Sequence, residues 1–169
     1  MNAVLAAWNA AGEAAAMDAM LACCGAERWG AAMVALRPIA SSAELSAAAD
    51  REWSRMGESD WLEAFACHPR IGERSLAHTS AKSSTWSQQE QSSTAAAAQR
   101  VLAEIAKGNE QYEQRFGFTY IVCATGRSAE EMLAILDRRL KNDRAAELRE
   151  AAEQQRQILQ IRLGKWLAE

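Results

Sequence analysis

The sequence predicts an all-α protein, a single-domain bundle of seven or eight helices over residues 1–169 with one irregular, extended, buried segment. Three observations predict it. Only 9 glycines and 2 prolines interrupt the 169 residues, and the abundant alanines carry the highest intrinsic helix propensity. Capping boxes recur, each a side-chain acceptor followed three residues later by glutamate at the start of an apolar run. Only one stretch, 117–124, has the aromatic and β-branched content of a strand, and no second strand is present to pair with it.

From the amino terminus, residues 2–24 place Val4, Leu5, Trp8, Met17, Met20 and Leu21 among alanines, with a break at Gly12 and a stop at Gly25. The short helix after Trp29 stops at Arg37-Pro38, because proline disfavours helical geometry in the residue before it. From Ser42 to Met56, Leu45, Ala48, Ala49, Glu52, Trp53 and Met56 follow the i, i+3, i+4, i+7 template, and Gly57 ends the run. Asp60-Trp61-Leu62-Glu63 reads as a capping box opening a helix over about 60–67, which stops at His68-Pro69-Arg70-Ile71-Gly72. Residues 73–86 form the longest polar loop. Ser87-Gln88-Gln89-Glu90 is the next capping box and opens a long helix through Val101, Leu102 and Ile105, with Gly108 a candidate kink. Ser128-Ala129-Glu130-Glu131 is the last, leading into Met132, Leu133, Ile135, Leu136 and Leu140. Asn142 ends that helix, and the final one runs over about 143–167 with Leu148, Ala151, Ala152, Gln155, Leu159 and Arg162 on neighbouring faces.

Charge and composition restrict function. Lys+Arg 19 against Asp+Glu 22 gives a net charge of −3, and the chain lacks the basic patch that binding a phosphate backbone requires. Nucleic acid is therefore not an expected partner. No stretch approaches a membrane span, and no basic region precedes the first alanines. Cys23, Cys24, Cys67 and Cys123 show no C-x-x-C spacing, which fits free thiols in a reducing cytoplasm. Folded and unfolded surfaces scale so that about 70% of the surface of a chain of this mass is buried, enough for a core without disulfides.

Few residues are left for chemistry. His68 is one of 2 histidines and stands at a helix end held by Pro69, where an imidazole can carry protons near neutral pH. A capping or surface histidine is the plainer alternative. Glu90 either returns a hydrogen bond to the cap residue of its own helix or faces a ligand at a helix start whose dipole favours anions. Arg162, between Ile161 and Leu163, offers a planar fork for a carboxylate or imide edge, or packs its stem on apolar surface near a helix end. Cys67-His68 with His78 lacks metal-ligand spacing, so no metal is expected. No phosphate-cradling, nucleophile-elbow or dinucleotide motif is present.

Taken jointly, Trp61-Leu62-Glu63-Ala64-Phe65, His68-Pro69-Arg70-Ile71-Gly72, Ser87-Gln88-Gln89-Glu90-Gln91, Asn109-x-x-Tyr112-x-x-Arg115-Phe116-Gly117-Phe118, Ile121-Val122-Cys123-Ala124 and Ile161-Arg162-Leu163 resemble one family. It is the decarboxylases of 2-oxo-4-hydroxy-4-carboxy-5-ureidoimidazoline (OHCU). The resemblance covers nearly the whole chain, and the His-Pro-Arg-Ile-Gly element is its most specific part. It implies an all-helical, cofactor-free, usually homodimeric enzyme that converts OHCU to (S)-allantoin during urate degradation. It also implies catalytic roles for His68, Glu90 and Arg162. Substrate contacts are implied from Pro69, from Ser87, Gln88 and Gln91, and from the backbone of Tyr120, Ile121, Val122, Cys123 and Ala124. Two other readings stay open on the residues alone: a non-catalytic helical domain that binds a purine-like ligand or partner protein, and a thiol enzyme using Cys67 with His68.

Overall fold

Helices alone make up the regular structure of the described residues. The computed structural model describes residues 2–70 and 88–169, with side chains described over 2–70 and 96–169. In order the elements are α1 (Ala3–Ala10), α2 (Glu13–Cys23), α3 (Glu27–Ala35), α4 (Ser42–Trp53), α5 (Glu58–Ala66), α6 (Gln88–Phe116), α7 (Ala129–Arg139) and α8 (Arg144–Trp166). The expected all-α class and helix number are borne out, and 118–124 is extended without a strand partner, as its sequence predicts. None of the helices is long and apolar enough to cross a membrane among the described residues. The polar stretch 73–86 and the cap residue Ser87 lie outside the described residues.

The chain forms two compact units, Met1–Cys67 with Leu148–Glu169, and His68–Glu147. The first is held by buried indoles. Trp8, Trp29 and Trp53 are each at most 4% exposed, and each ring N–H donates to a carbonyl of another helix: Ala16 O at 2.9 Å, Ala49 O at 3.2 Å and Ala152 O at 3.1 Å. A buried indole thus adds a large apolar surface without leaving its donor unpaired. Arg37 answers the break before Pro38. Its Nη1 donates to Trp8 O and Ala11 O at 2.8 and 2.7 Å, capping the carboxyl end of α1.

Three boundaries differ from expectation: α3 begins at Glu27, so Trp29 lies inside it and not before it, α4 ends at Trp53 and not at Met56, and α5 starts early. α5 begins at Glu58, two residues before Asp60, with Gly57 as its cap. Asp60 is the third helical residue and its carboxylate accepts from Gly57 N–H at 2.9 Å, so it supplies the acidic end of the cap rather than the cap itself. Glu63 serves another helix, accepting from Glu27 N–H at the start of α3 at 3.2 Å. A carboxylate near a helix start satisfies free N–H groups from either role, which is why spacing alone misplaced the register.

In the second unit the long α6 packs along α7. Gly108 does not break α6, which continues to Phe116. A Cβ at Gly108 would lie 2.5 Å from Leu136 Cδ2, so the glycine permits close approach of the two helices. Gly117, at φ +79°, ends α6 in the left-handed conformation, its N–H donating to Glu113 O at 2.8 Å. The Ser128–Glu131 capping box forms as expected, with Ser128 Oγ accepting from Glu131 N–H at 3.1 Å and Glu131 Oε2 from Ser128 N–H at 2.6 Å.

Gly108→Ala should lower stability by about 1 kcal/mol in urea unfolding, since overpacking costs of roughly 1–3 kcal/mol exceed the propensity gained by alanine. Gly164→Ala, with nothing near its Cβ position, should be neutral or stabilising by a few tenths of a kcal/mol, roughly, near a fraying helix end.

Candidate active site

α5 gives way to the turn at His68 because Pro69 excludes the helical basin from the residue before it. Cys67 caps the helix, its N–H donating to Ala64 O at 3.2 Å. His68 is half-buried and its Nε2 is shielded from solvent. Two residues on, Arg70 forks onto Glu113 of α6, Nε to Oε1 at 2.9 Å and Nη2 to Oε2 at 2.6 Å. This bidentate pair holds the residues after His68 against the helix that also carries Tyr112.

The extended segment lies in the same unit. Tyr120, Ile121, Val122 and Cys123 are at most 7% exposed, and Ala124 is exposed. Lacking a neighbouring strand, the segment is gripped by side chains. Arg139, at the end of α7 and fully buried, donates from Nη1 to Ile121 O at 2.6 Å. Its Nε and Nη2 lie 2.7 and 2.5 Å from Glu147 Oε1 in the first turn of α8. Asn142 Nδ2 donates to Glu147 Oε2 at 2.9 Å, and the Tyr112 hydroxyl donates to Oε1. The guanidinium lies 4.8 Å from the Tyr120 ring centroid, a cation–π contact that strengthens away from water. Farther along, Arg127 Nε donates to Cys123 O at 3.1 Å, and Gly126 at φ +77° turns the chain toward α7.

The titration of this cluster follows from its contacts. Burial is the largest single influence on Arg139 and opposes its charge, yet the hydrogen bonds to Glu147 together with the negative charge and the tyrosine hydroxyls around it push its pKa upward. Burial pushes the Tyr112 hydroxyl above its usual range, against the nearby Arg139, so it stays a donor. A buried pair with this many hydrogen bonds is worth little beyond an apolar replacement, but removing one partner strands the other charge.

Arg162 belongs to the first unit. It is half-buried, and its Nη1 approaches Cys23 O, at the last residue of α2, at 3.4 Å. The guanidinium thus sits at the negative end of a helix dipole, the one supplied by α2 rather than by α8. Burial pushes the Cys23 thiol up to about 11 and Cys24 up to about 12, with Arg162 opposing both. Those thiols are protonated at neutral pH, and Cys67 is the exposed one.

Of the expected site residues, His68, Pro69 and Tyr120–Ala124 fall in the second unit and Arg162 in the first. Gln88, Glu90 and Gln91 occupy the first turn of α6, with their side chains, and all of Ser87, outside the described residues. Arg139, Glu147 and Asn142 were not anticipated. Their signal was available: Met132, Leu136 and Arg139 share one buried stripe of α7, which places a cation where an apolar residue belongs.

The model of the family described as OHCU decarboxylase matches residues 9–164. The chain belongs to the OHCU decarboxylase family. It is 34% identical over 149 residues to the uric acid degradation bifunctional protein TTL of Arabidopsis thaliana, covering 88% of this chain and 46% of that one. It thus spans about half the length of that relative. To the 2-oxo-4-hydroxy-4-carboxy-5-ureidoimidazoline decarboxylase of Amia calva it is 30% identical over 127 residues, 75% of this chain and 73% of that protein. A crystal structure of an OHCU decarboxylase in the presence of (S)-allantoin superposes with a TM-score of 0.72 at 30% identity, covering 90% of this chain and 99% of that one. A crystal structure of (S)-allantoin synthase shares the fold, with a TM-score of 0.69 at 17% identity over 96% of this chain and 53% of that one.

Glu147→Ala should cost about 3–5 kcal/mol in denaturant unfolding, the penalty for an unpaired buried charge. Iodoacetamide at pH 8 should label Cys67 and spare Cys23 and Cys24, since their raised pKa values leave little thiolate there; mass spectrometry of peptides from the native protein reads this.

Proposed function

We propose that this protein is a carboxy-lyase that decarboxylates OHCU to (S)-allantoin in urate degradation, acting without a cofactor as a cytoplasmic homodimer, with the whole chain one domain of this type. The observation that carries the reading is the family match across residues 9–164, which includes the His68 turn and the extended segment. The reaction breaks the bond between the ring carbon and its carboxylate. The electron pair forms a C=C bond to the neighbouring ring carbon as its C=N opens onto nitrogen, which takes up a proton; carbon dioxide leaves, and a second proton delivered to one face of that carbon sets the S configuration. Loss of the hydroxyl proton then gives the ring carbonyl. Because the substrate holds its own electron sink, the protein's task is to orient the breaking bond, exclude water and direct the proton.

His68 is the proton carrier in this proposal, polarised by Glu90 at the start of α6. Its shielded Nε2 and its place directly before Pro69, which restricts its backbone, support a side chain held in one orientation. Arg162 binds a carboxylate or a polar ring edge with its fork. Pro69, Ser87, Gln88 and Gln91 line the substrate beside the α6 start, where free N–H groups favour anions. The backbone of Tyr120, Ile121, Val122, Cys123 and Ala124 contacts the polar edges of the ring.

The test generates OHCU from urate with urate oxidase and hydroxyisourate hydrolase and follows the circular dichroism of allantoin. An accelerated signal of the S enantiomer is expected; racemic product at the spontaneous rate contradicts the assignment and leaves a binding domain. His68→Ala should keep the fold and lower the rate by about 10²–10⁴, the usual contribution of a positioned acid or base. Glu90→Gln can still complete a capping box, so full turnover in that variant assigns Glu90 to the helix cap alone.

A further inference from the structure

Peptide groups in a buried segment without a strand partner must be satisfied one at a time. Ile121 O is satisfied by Arg139 Nη1 at 2.6 Å. The cis peptide among the described residues is Arg37–Pro38, so the Ile121–Val122 bond is trans, and in a planar trans peptide the C=O and the following N–H point in opposite directions. Gripping Ile121 O therefore aims the Val122 N–H away from Arg139. Among the described residues no group accepts from that N–H, although Val122 is only 5% exposed. A buried donor without an acceptor is costly, and such groups recur where a ligand completes the bonding.

The guanidinium has no freedom to drift. Glu147 Oε1 holds Nε and Nη2, Asn142 holds the other Glu147 oxygen, and the Tyr120 ring lies against the cation. Only a planar fork reaches Glu147 and Ile121 at once; a lysine ammonium is a single point charge. We infer that Arg139, locked by Glu147, is a positioning residue for substrate: it sets the plane of the Ile121–Val122 peptide so that the Val122 N–H donates to a carbonyl or carboxylate oxygen of the ligand. The inference rests on the reading that the 120–124 backbone contacts substrate.

The experiment measures OHCU turnover and (S)-allantoin binding in the wild-type protein and three variants. Wild-type protein labelled with nitrogen-15 is titrated with (S)-allantoin, and the amide signal of Val122 should shift downfield as a hydrogen bond forms. Arg139→Met combined with Glu147→Leu removes both charges and leaves an apolar filling, which buried pairs commonly tolerate. It should unfold cooperatively, raise KM about tenfold or more, and lose the Val122 shift, while kcat falls less. Arg139→Lys keeps a charge opposite Glu147 and should move KM the same way if the double variant does not fold. Tyr112→Phe removes a bond to Glu147 but leaves Arg139 on Ile121, so it should lower stability without changing KM. If the wild-type Val122 signal does not respond, the contact of this segment with substrate is wrong. If it responds and the folded Arg139 variants retain wild-type KM and shift, the positioning role alone is overturned.

Discussion

The Arg139–Glu147 ion pair is the interaction on which the second unit depends. An extended, nearly solvent-free stretch inside an all-helical unit has no ladder for its peptide groups, and helices cannot supply one, because their own backbone groups are already paired. A side chain with several donors on a fixed plane solves this, provided that its charge is neutralised where it lies. Glu147 neutralises it, Asn142 and Tyr112 complete the carboxylate's bonds, and the Tyr120 ring occupies the face of the guanidinium. The cluster also draws together the carboxyl end of α7, the first turn of α8, the last turns of α6 and the extended segment. Its worth lies less in net stability than in permitting one backbone geometry.

The first unit solves a different problem. Alanine-rich helices present shallow surfaces that by themselves specify little about how they pack. Trp8, Trp29 and Trp53 supply volume and direction together, since each ring fills the core and each N–H fixes which carbonyl it meets. Arg162, with its guanidinium at the end of α2, rests on this frame. Its helix, α8, also carries Glu147 in its first turn, so one helix provides residues to the bonding of both units.

Much of this was legible in the residues. Helix number, the breaks at Gly12 and Pro38, the Ser128 capping box and the unpartnered stretch after Gly117 are local properties, and local chemistry decides them. The register of α5 was not legible, because Asp60 and Glu63 both suit a helix start and only the packing of α3 assigns Glu63 elsewhere. The packing role of Gly108 was hidden for a similar reason: sequence shows a missing side chain but not the leucine that occupies its place. Of the candidate site, His68 and its proline-fixed turn stood out, and the proposed substrate contact of the 120–124 backbone came through resemblance. Arg139 and Glu147 were hidden because their pairing joins separate helices, and a charge on an apolar stripe does not name its partner.

A crystal structure of this protein with (S)-allantoin tests the role of the extended segment most directly. The expected result is a ligand oxygen within about 3 Å of Val122 N, with the His68 ring facing the same ligand and Arg139 still on Ile121 O. Allantoin bound with Val122 N–H unengaged, or bound away from residues 120–124 altogether, would contradict it.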